Sequence, residues 1–154
     1  MISRLFRFQL PLALHSELEV YYDFRASAQA ALMRDRESTV TGPTVAMHFI
    51  NRSHKVRLVY DQILRGCKRF GPVIEDPKKT SIHLVNRSAF AGIQTRRESI
   101  VLTLKSTLDI DSDRIFRRER ASANRWYLYL KLTSPDDVDA EMIHWLETSY
   151  RLSG

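Results

Sequence analysis

Residues 125–132 read RWYLYLKL and residues 99–105 read SIVLTLK. In both, every second residue is large and apolar: Trp126, Leu128, Leu130 and Leu132 in one, Ile100, Leu102 and Leu104 in the other. Successive side chains of a strand point to opposite sides, so a two-residue period gathers these onto one face and leaves Tyr127, Tyr129 and Lys131, with Val101, Thr103 and Lys105, on the other. Short segments of this kind with turn signals between them are the mark of antiparallel strands. Working outward, Thr80–Asn86 alternates around Ile82 and Leu84. Ala89–Arg96 follows across Asn86-Arg87-Ser88, and Arg97-Glu98 turns the chain into residues 99–105. Asp109–Asp113 is a polar loop, Arg114–Glu119 a weaker strand with Ile115 and Phe116, and Ala121–Asn124 breaks the pattern before residue 125. The expected sheet has about five short strands.

A helix is expected on each side of this run. Before it, Val56, Val59, Tyr60, Ile63, Leu64, Cys67 and Phe70 recur at the spacing of one buried helical face over His54–Phe70, with Ser53 as N-cap. Gly71-Pro72 ends that helix, because glycine tolerates the left-handed terminal geometry and proline cannot continue it. After the strands, Ser134-Pro135-Asp136-Asp137 announces a closing helix: a serine cap, proline in the first turn, and carboxylates at the positive end of the dipole. Its apolar face is Val138, Met142, Trp145, Leu146 and Ser149. A short helix over Thr44–Ile50 is expected to dock Val45, Phe49 and Ile50. Segregated helices and strands mean an α+β fold, an antiparallel sheet with both amphipathic helices packed on one face. Residues 44–154 read as a single α+β domain, and residues 1–43 as a poorly defined N-terminal extension or helix, Glu17–Leu32 being its most helical stretch. Met33 and Met47 offer alternative starts.

The whole chain, 154 residues with net charge +6, is charged unevenly. Residues 51–131 carry 18 Lys and Arg against eight Asp and Glu, whereas residues 132–154 carry one Arg against five carboxylates. A positive field over the strands favours phosphates and other polyanions. One cysteine, Cys67, rules out an internal disulfide or a cysteine-rich zinc site. No apolar run approaches the ~20 residues of a membrane span. Arg7, Gln9 and Pro11 interrupt the apolar stretch of a would-be signal peptide, so a cytoplasmic protein is expected.

From Val45 to Tyr150 the order of motifs resembles a bacterial family catalogued as domain of unknown function 5655. Its carriers are Phe49, Gly71-Pro72-Val73, Lys79-Thr80-Ser81-Ile82, Phe90-Ala91, Leu132-Thr133-Ser134-Pro135-Asp136-Asp137, and Trp145-Leu146 with Tyr150. The resemblance implies no catalytic residues. In that family a histidine often stands near the position of Tyr129, and its absence here weakens an acid-base role for that site. At fold level the arrangement is similar to the double-wing (YjbR-like) domains, which implies DNA binding.

No catalytic, cofactor or metal motif emerges. Asp109, Asp111 and Asp113 have the spacing of a calcium loop, but Arg114 and Arg120 stand where glycine and glutamate are required. Cys67 lies on an apolar helical face and reads as a buried hydrophobe. His15, His48, His54, His83 and His144 lack any tight ligand spacing, and the five glycines form no phosphate loop. The basic residues are the candidate anion-binding groups: Arg114, Arg117, Arg118, Arg120 and Arg125 around the weak strand, with Arg96, Arg97, Lys105, Lys78, Lys79 and Arg87 at nearby strand ends. Arginine suits phosphate because its planar fork donates two hydrogen bonds together. Tyr127 and Tyr129 are candidate stacking surfaces. The expected role is a non-catalytic binding or accessory module with nucleic acid or another polyanion as partner. The competing classes are an enzyme with a small-molecule pocket at the sheet edge and a protein–protein interaction module.

Overall fold

The computed structural model describes residues 42–154; the expected N-terminal extension over residues 1–43 falls almost wholly outside them. A 3₁₀ turn at Ala46–Phe49 leads into α1 (His54–Cys67). Six strands follow: β1 (Ile74–Pro77), β2 (Ile82–Val85), β3 (Ala89–Thr95), β4 (Ile100–Ser106), β5 (Ile115–Ser122) and β6 (Arg125–Leu132). A second 3₁₀ turn at Pro135–Asp137 precedes α2 (Ala140–Arg151). All strand pairs are antiparallel, in the order β1-β2-β3-β4-β6-β5. The fold is α+β, with six strands where about five were expected. The added strand, β1, reads Ile-Glu-Asp-Pro and has no apolar alternation. It pairs because the edge of β2 offers free backbone donors and acceptors, which are satisfied whatever side chains the partner carries.

The two-residue period builds the core. Ile82, Ile93, Leu102, Leu130 and Ile115 are aligned across five strands on one face, and Leu84, Ala91, Leu104 and Leu128 form the next row. All nine are buried. Against them α1 places Val56, Val59, Tyr60, Ile63 and Cys67, and α2 places Met142, Leu146 and Tyr150. Removing one large aliphatic side chain of this kind from water stabilises the fold by about 1.5–3 kcal/mol. The Tyr60 hydroxyl, sealed from solvent, donates to Glu75, which ties β1 to α1. Burial first, then the Glu75 carboxylate, push that phenol's pKa well above its usual value. The Tyr150 ring lies edge-on to Phe90 at 5.2 Å between ring centres, and its hydroxyl donates to the Pro72 carbonyl at 3.1 Å.

Three local expectations are corrected. First, α1 ends at Cys67 rather than Phe70, the backbone tightening into turns over residues 68–70 before Gly71 takes a φ of 145°. Second, Ser53 is the N-cap of α1 as expected and its carbonyl accepts from the Val56 amide at 3.0 Å, but its hydroxyl caps no amide and is buried without a partner among the described residues. Third, Ser134-Pro135-Asp136-Asp137 caps the 3₁₀ turn rather than the helix. Asp137 accepts from the Thr133 and Ser134 amides at 2.7 and 2.9 Å, while Asp139 caps α2 by accepting from the Met142 amide at 2.9 Å. Burial raises the Asp137 pKa, but the Thr133 and Ser134 hydrogen bonds outweigh it and hold the carboxylate below its ordinary range. At the first 3₁₀ turn Val45 and Phe49 pack on the core as expected, and Ile50 is exposed.

Ser149, expected on the apolar face of the closing helix, has a second role. The β3–β4 register ends at Ala91 opposite Leu104. One residue further, the Ser149 hydroxyl donates to the Phe90 carbonyl at 2.6 Å and accepts from the Lys105 amide at 3.0 Å. A helix side chain thus completes the ladder where the two strands part.

Candidate functional site

The arginine cluster read from the sequence divides between the two faces of the sheet. Arg114 is held on the helix side. It donates to Asp139 and Glu141 at 2.9 Å each and to the Asp137 carbonyl, and its guanidinium lies 5.7 Å from the Trp145 ring centre. Arg118 bridges Asp109 and Asp111 at 3.4 and 3.3 Å and the Ile110 carbonyl, fastening the β4–β5 loop. The run Asp109–Asp113, read as a solvated loop, supplies those carboxylates. Arg120 donates to the Ser122 and Ala123 carbonyls and stacks on Trp126 at 5.8 Å. These three cations are engaged by the protein itself.

The opposite face carries no helix among the described residues. Across it run Asp76, His83, Gly92, Thr103, Tyr129 and Arg117 in one row, and Lys105, Tyr127 and Glu119 in the next. Arg125 and Lys131 share the parity of Tyr127 on β6 and so lie on this side. Arg117 pairs with Glu119 at 3.1 Å and covers the Tyr129 ring at 5.0 Å, while the Tyr129 hydroxyl donates to the same carboxylate. Tyr129 is therefore occupied as a stacking surface; Tyr127 is not, and Phe116, 59% exposed, stands beside Tyr129 at 6.5 Å. Lys105, Arg125 and Lys131 form no ion pair among the described residues. Arg96 reaches Gln94 at 3.3 Å, and the Arg97 carbonyl accepts from the Ser53 amide, which places both at the far β3–β4 turn. Lys78 is paired with Asp76, and Lys79 and Arg87 are exposed.

The centre of this face is hollow. A depression of about 310 Å³ is lined by His83, Gly92, Gln94, Thr103, Lys105 and Tyr127 together with the Ala89–Ala91 segment. Gly92 makes the floor: a Cβ there would meet Thr103 Cβ at 3.6 Å and His83 Cδ2 at 3.9 Å, so its absence leaves room above the sheet. No carboxylate lines the depression. Burial, then the charge of Arg125, lower the pKa of Lys105, whose ammonium is 3.5 Å from the Ser88 hydroxyl. Sequence reasoning singled out Lys105, Arg125 and Tyr127 but missed His83, Gly92, Gln94 and Thr103. The available signal was a glycine inside an alternating strand, which marks a place where another group comes close to the backbone.

Elsewhere, a cleft of about 280 Å³ under the β4–β5 loop is lined mainly by Leu104, Leu108, Ile110, Leu128 and Trp145. Cys67 is sealed from solvent, and burial pushes its thiol up to about 12. Among the described residues no three His, Cys, Asp or Glu side chains converge as metal ligands, and no helix is long and apolar enough to cross a membrane. The family model described as Domain of unknown function (DUF5655) matches residues 45–153. The chain belongs to that family. No curated protein and no solved structure matches it. In this DUF5655 chain the matched span runs from the first 3₁₀ turn to the end of α2, so every strand of the open face lies within it.

Proposed function

We propose that this domain is a non-catalytic binding module that takes an anionic ligand, nucleic acid being the best fit, on the face of its sheet opposite α1 and α2. The observation that carries the reading is the pairing of Lys105, Arg125 and Lys131, which have no ion-pair partner among the described residues, with a depression beside Tyr127 that no carboxylate lines. Charges left without partners beside a hollow are satisfied by an incoming anion at no cost in broken ion pairs, unlike Arg114 and Arg118 on the other side. Tyr127 and Phe116 offer ring surface for unstacked bases, which favours a single strand over a duplex.

Fluorescence anisotropy with labelled single- and double-stranded oligonucleotides over a salt series tests this. Three phosphate contacts predict a log–log slope of about −2 for a single strand, each contributing roughly 0.7. Charge reversal at Arg125 and Lys131 is expected to abolish binding at moderate salt and leave the melting temperature unchanged. Absence of binding at low salt, or affinity insensitive to salt, overturns the reading.

A further inference from the structure

We infer that the depression over Gly92 is a subsite for a phosphomonoester, a terminal phosphate seated beside Lys105 and Arg125 rather than a phosphodiester from within a strand. This rests on the binding reading above and specifies the group that enters the hollow.

The first ground is the chemistry of the wall. Thr103 and Tyr127 present hydroxyls and His83 an imidazole, none of them hydrogen-bonded within the described residues; no carboxylate lines the depression, and the two nearest on this face, Asp76 opposite His83 and Glu119 opposite Tyr127, are paired with Lys78 and Arg117. A site with donors on several sides and no acceptor-only group suits a ligand whose oxygens only accept, as those of phosphate do. The second ground is the placement of charge. Lys105 is opposite Tyr127 on the β4–β6 pair, and Arg125 lies two residues before Tyr127 on the same face, a diagonal of roughly 7–8 Å between backbones. Two cations held this close, with no ion-pair partner among the described residues, repel each other; burial lowers the pKa of Lys105 most, and the charge of Arg125 adds to it. A phosphomonoester carries about −1.5 to −2 at neutral pH and a diester only −1, so the monoester relieves the repulsion more fully. The third ground is size. About 310 Å³ lies at the small end of ligand sites and accommodates one phosphorylated end with its sugar, not a length of strand. The remainder of a strand then continues over Tyr127 towards Lys131.

Protonation of Lys105 and ligand binding are coupled. Its lowered folded-state pKa means that the ammonium is lost earlier than an ordinary lysine as pH rises, and a bound dianion stabilises the protonated form. The charged and titratable groups on the surrounding strands are Asp76 on β1 with Lys78 beside it, His83 on β2, Tyr127, Tyr129, Arg125 and Lys131 on β6, and the Arg117–Glu119 pair on β5.

The experiment compares one oligonucleotide carrying a terminal phosphate, at either end, with its hydroxyl-ended counterpart on the full chain. A nucleoside monophosphate and the matching nucleoside serve as competitors. The phosphorylated strand is expected to bind about ten-fold more tightly, one charge-assisted contact's worth, and the monophosphate to compete where the nucleoside does not. That preference should fall as pH rises, before the ordinary lysine range near ~10.4 is reached. Lys105→Gln, and separately Gly92→Val to fill the hollow, are expected to erase the end preference; folding of each is checked by its melting curve. Equal binding of phosphate and hydroxyl ends overturns the subsite and leaves the polynucleotide reading standing. Direct binding of the nucleoside monophosphate, followed by calorimetry, with no strand binding keeps the subsite and overturns the polynucleotide. Failure of every ligand overturns both.

Discussion

Replacing Ser149 by alanine removes one oxygen atom and unsatisfies two backbone groups. The residue is fully buried, and its hydroxyl stands between the Phe90 carbonyl at 2.6 Å and the Lys105 amide at 3.0 Å. With alanine at 149 the strands lose their bridge where the direct pairing has already ended at Ala91 and Leu104. A buried backbone group without a partner costs about 1–3 kcal/mol. Phe90 is 1% exposed, so its carbonyl bears most of that penalty. Lys105 is half-buried, so water reaches its amide in part and the second penalty falls near the lower limit. The expected loss is about 3 kcal/mol, with a melting temperature lower by on the order of 10 °C for a domain of this size. Urea unfolding followed by tryptophan fluorescence measures it, with the midpoint moving and the slope unchanged. Hydrogen exchange at the Lys105 amide locates it, since that proton should lose its protection ahead of Leu104. A loss below about 1 kcal/mol would refute the reasoning: it would mean that Phe90 and Lys105 close on each other, or that water enters, and that the helix hydroxyl is dispensable. Because Lys105 is the cation at the rim of the depression, the same variant should also weaken any preference for a terminal phosphate.

Two further outcomes follow from the core. The Cys67 thiol, raised to about 12 by burial, stays protonated in the folded protein while the unfolded chain ionises near 9, so the folded state holds the extra proton above that pH. The thiol's contribution is therefore constant below pH 8 and falls by about 1.4 kcal/mol per pH unit between roughly 9 and 12; Cys67→Ala should remove this part from alkaline unfolding curves and leave the loss that the buried Tyr60 phenol adds above pH 10. Gly71→Ala is expected to cost about 2 kcal/mol or more, because φ is 145° and a Cβ would stand 2.5 Å from the Tyr150 hydroxyl oxygen. Tyr150→Phe in the same chain should recover part of the loss in a double-mutant cycle, and strict additivity would show that the clash is not the cause.

Much of this fold was legible because its signals are local. The apolar positions of α1 recur on one helical face, and all of those within the helix proper are buried; the alternation in β4 and β6 assigned each residue to its face. Periodicity records which side of an element meets the core, and that information is carried by neighbours a few residues apart. The Arg114–Asp139 and Arg118–Asp111 pairs were hidden for the opposite reason: what neutralises a charge depends on residues 25 and seven positions away that are brought beside it by chain reversals. Counting arginines along the chain treated as one field what the pleat divides between two surfaces.

The sequence alone therefore determined the fold class, the two helices, five of the six strands and the excess of positive charge over the middle of the chain. Tertiary structure alone decided the rest. β1 exists because β2 had an unpaired edge, β5 with its four charged residues stands outside β6 at the margin of the sheet, and Ser149 enters a ladder that is not its own. Register, too, is a property of pairs of strands and not of one strand, and it is register that sets Gly92 between His83 and Thr103 and makes a hollow there.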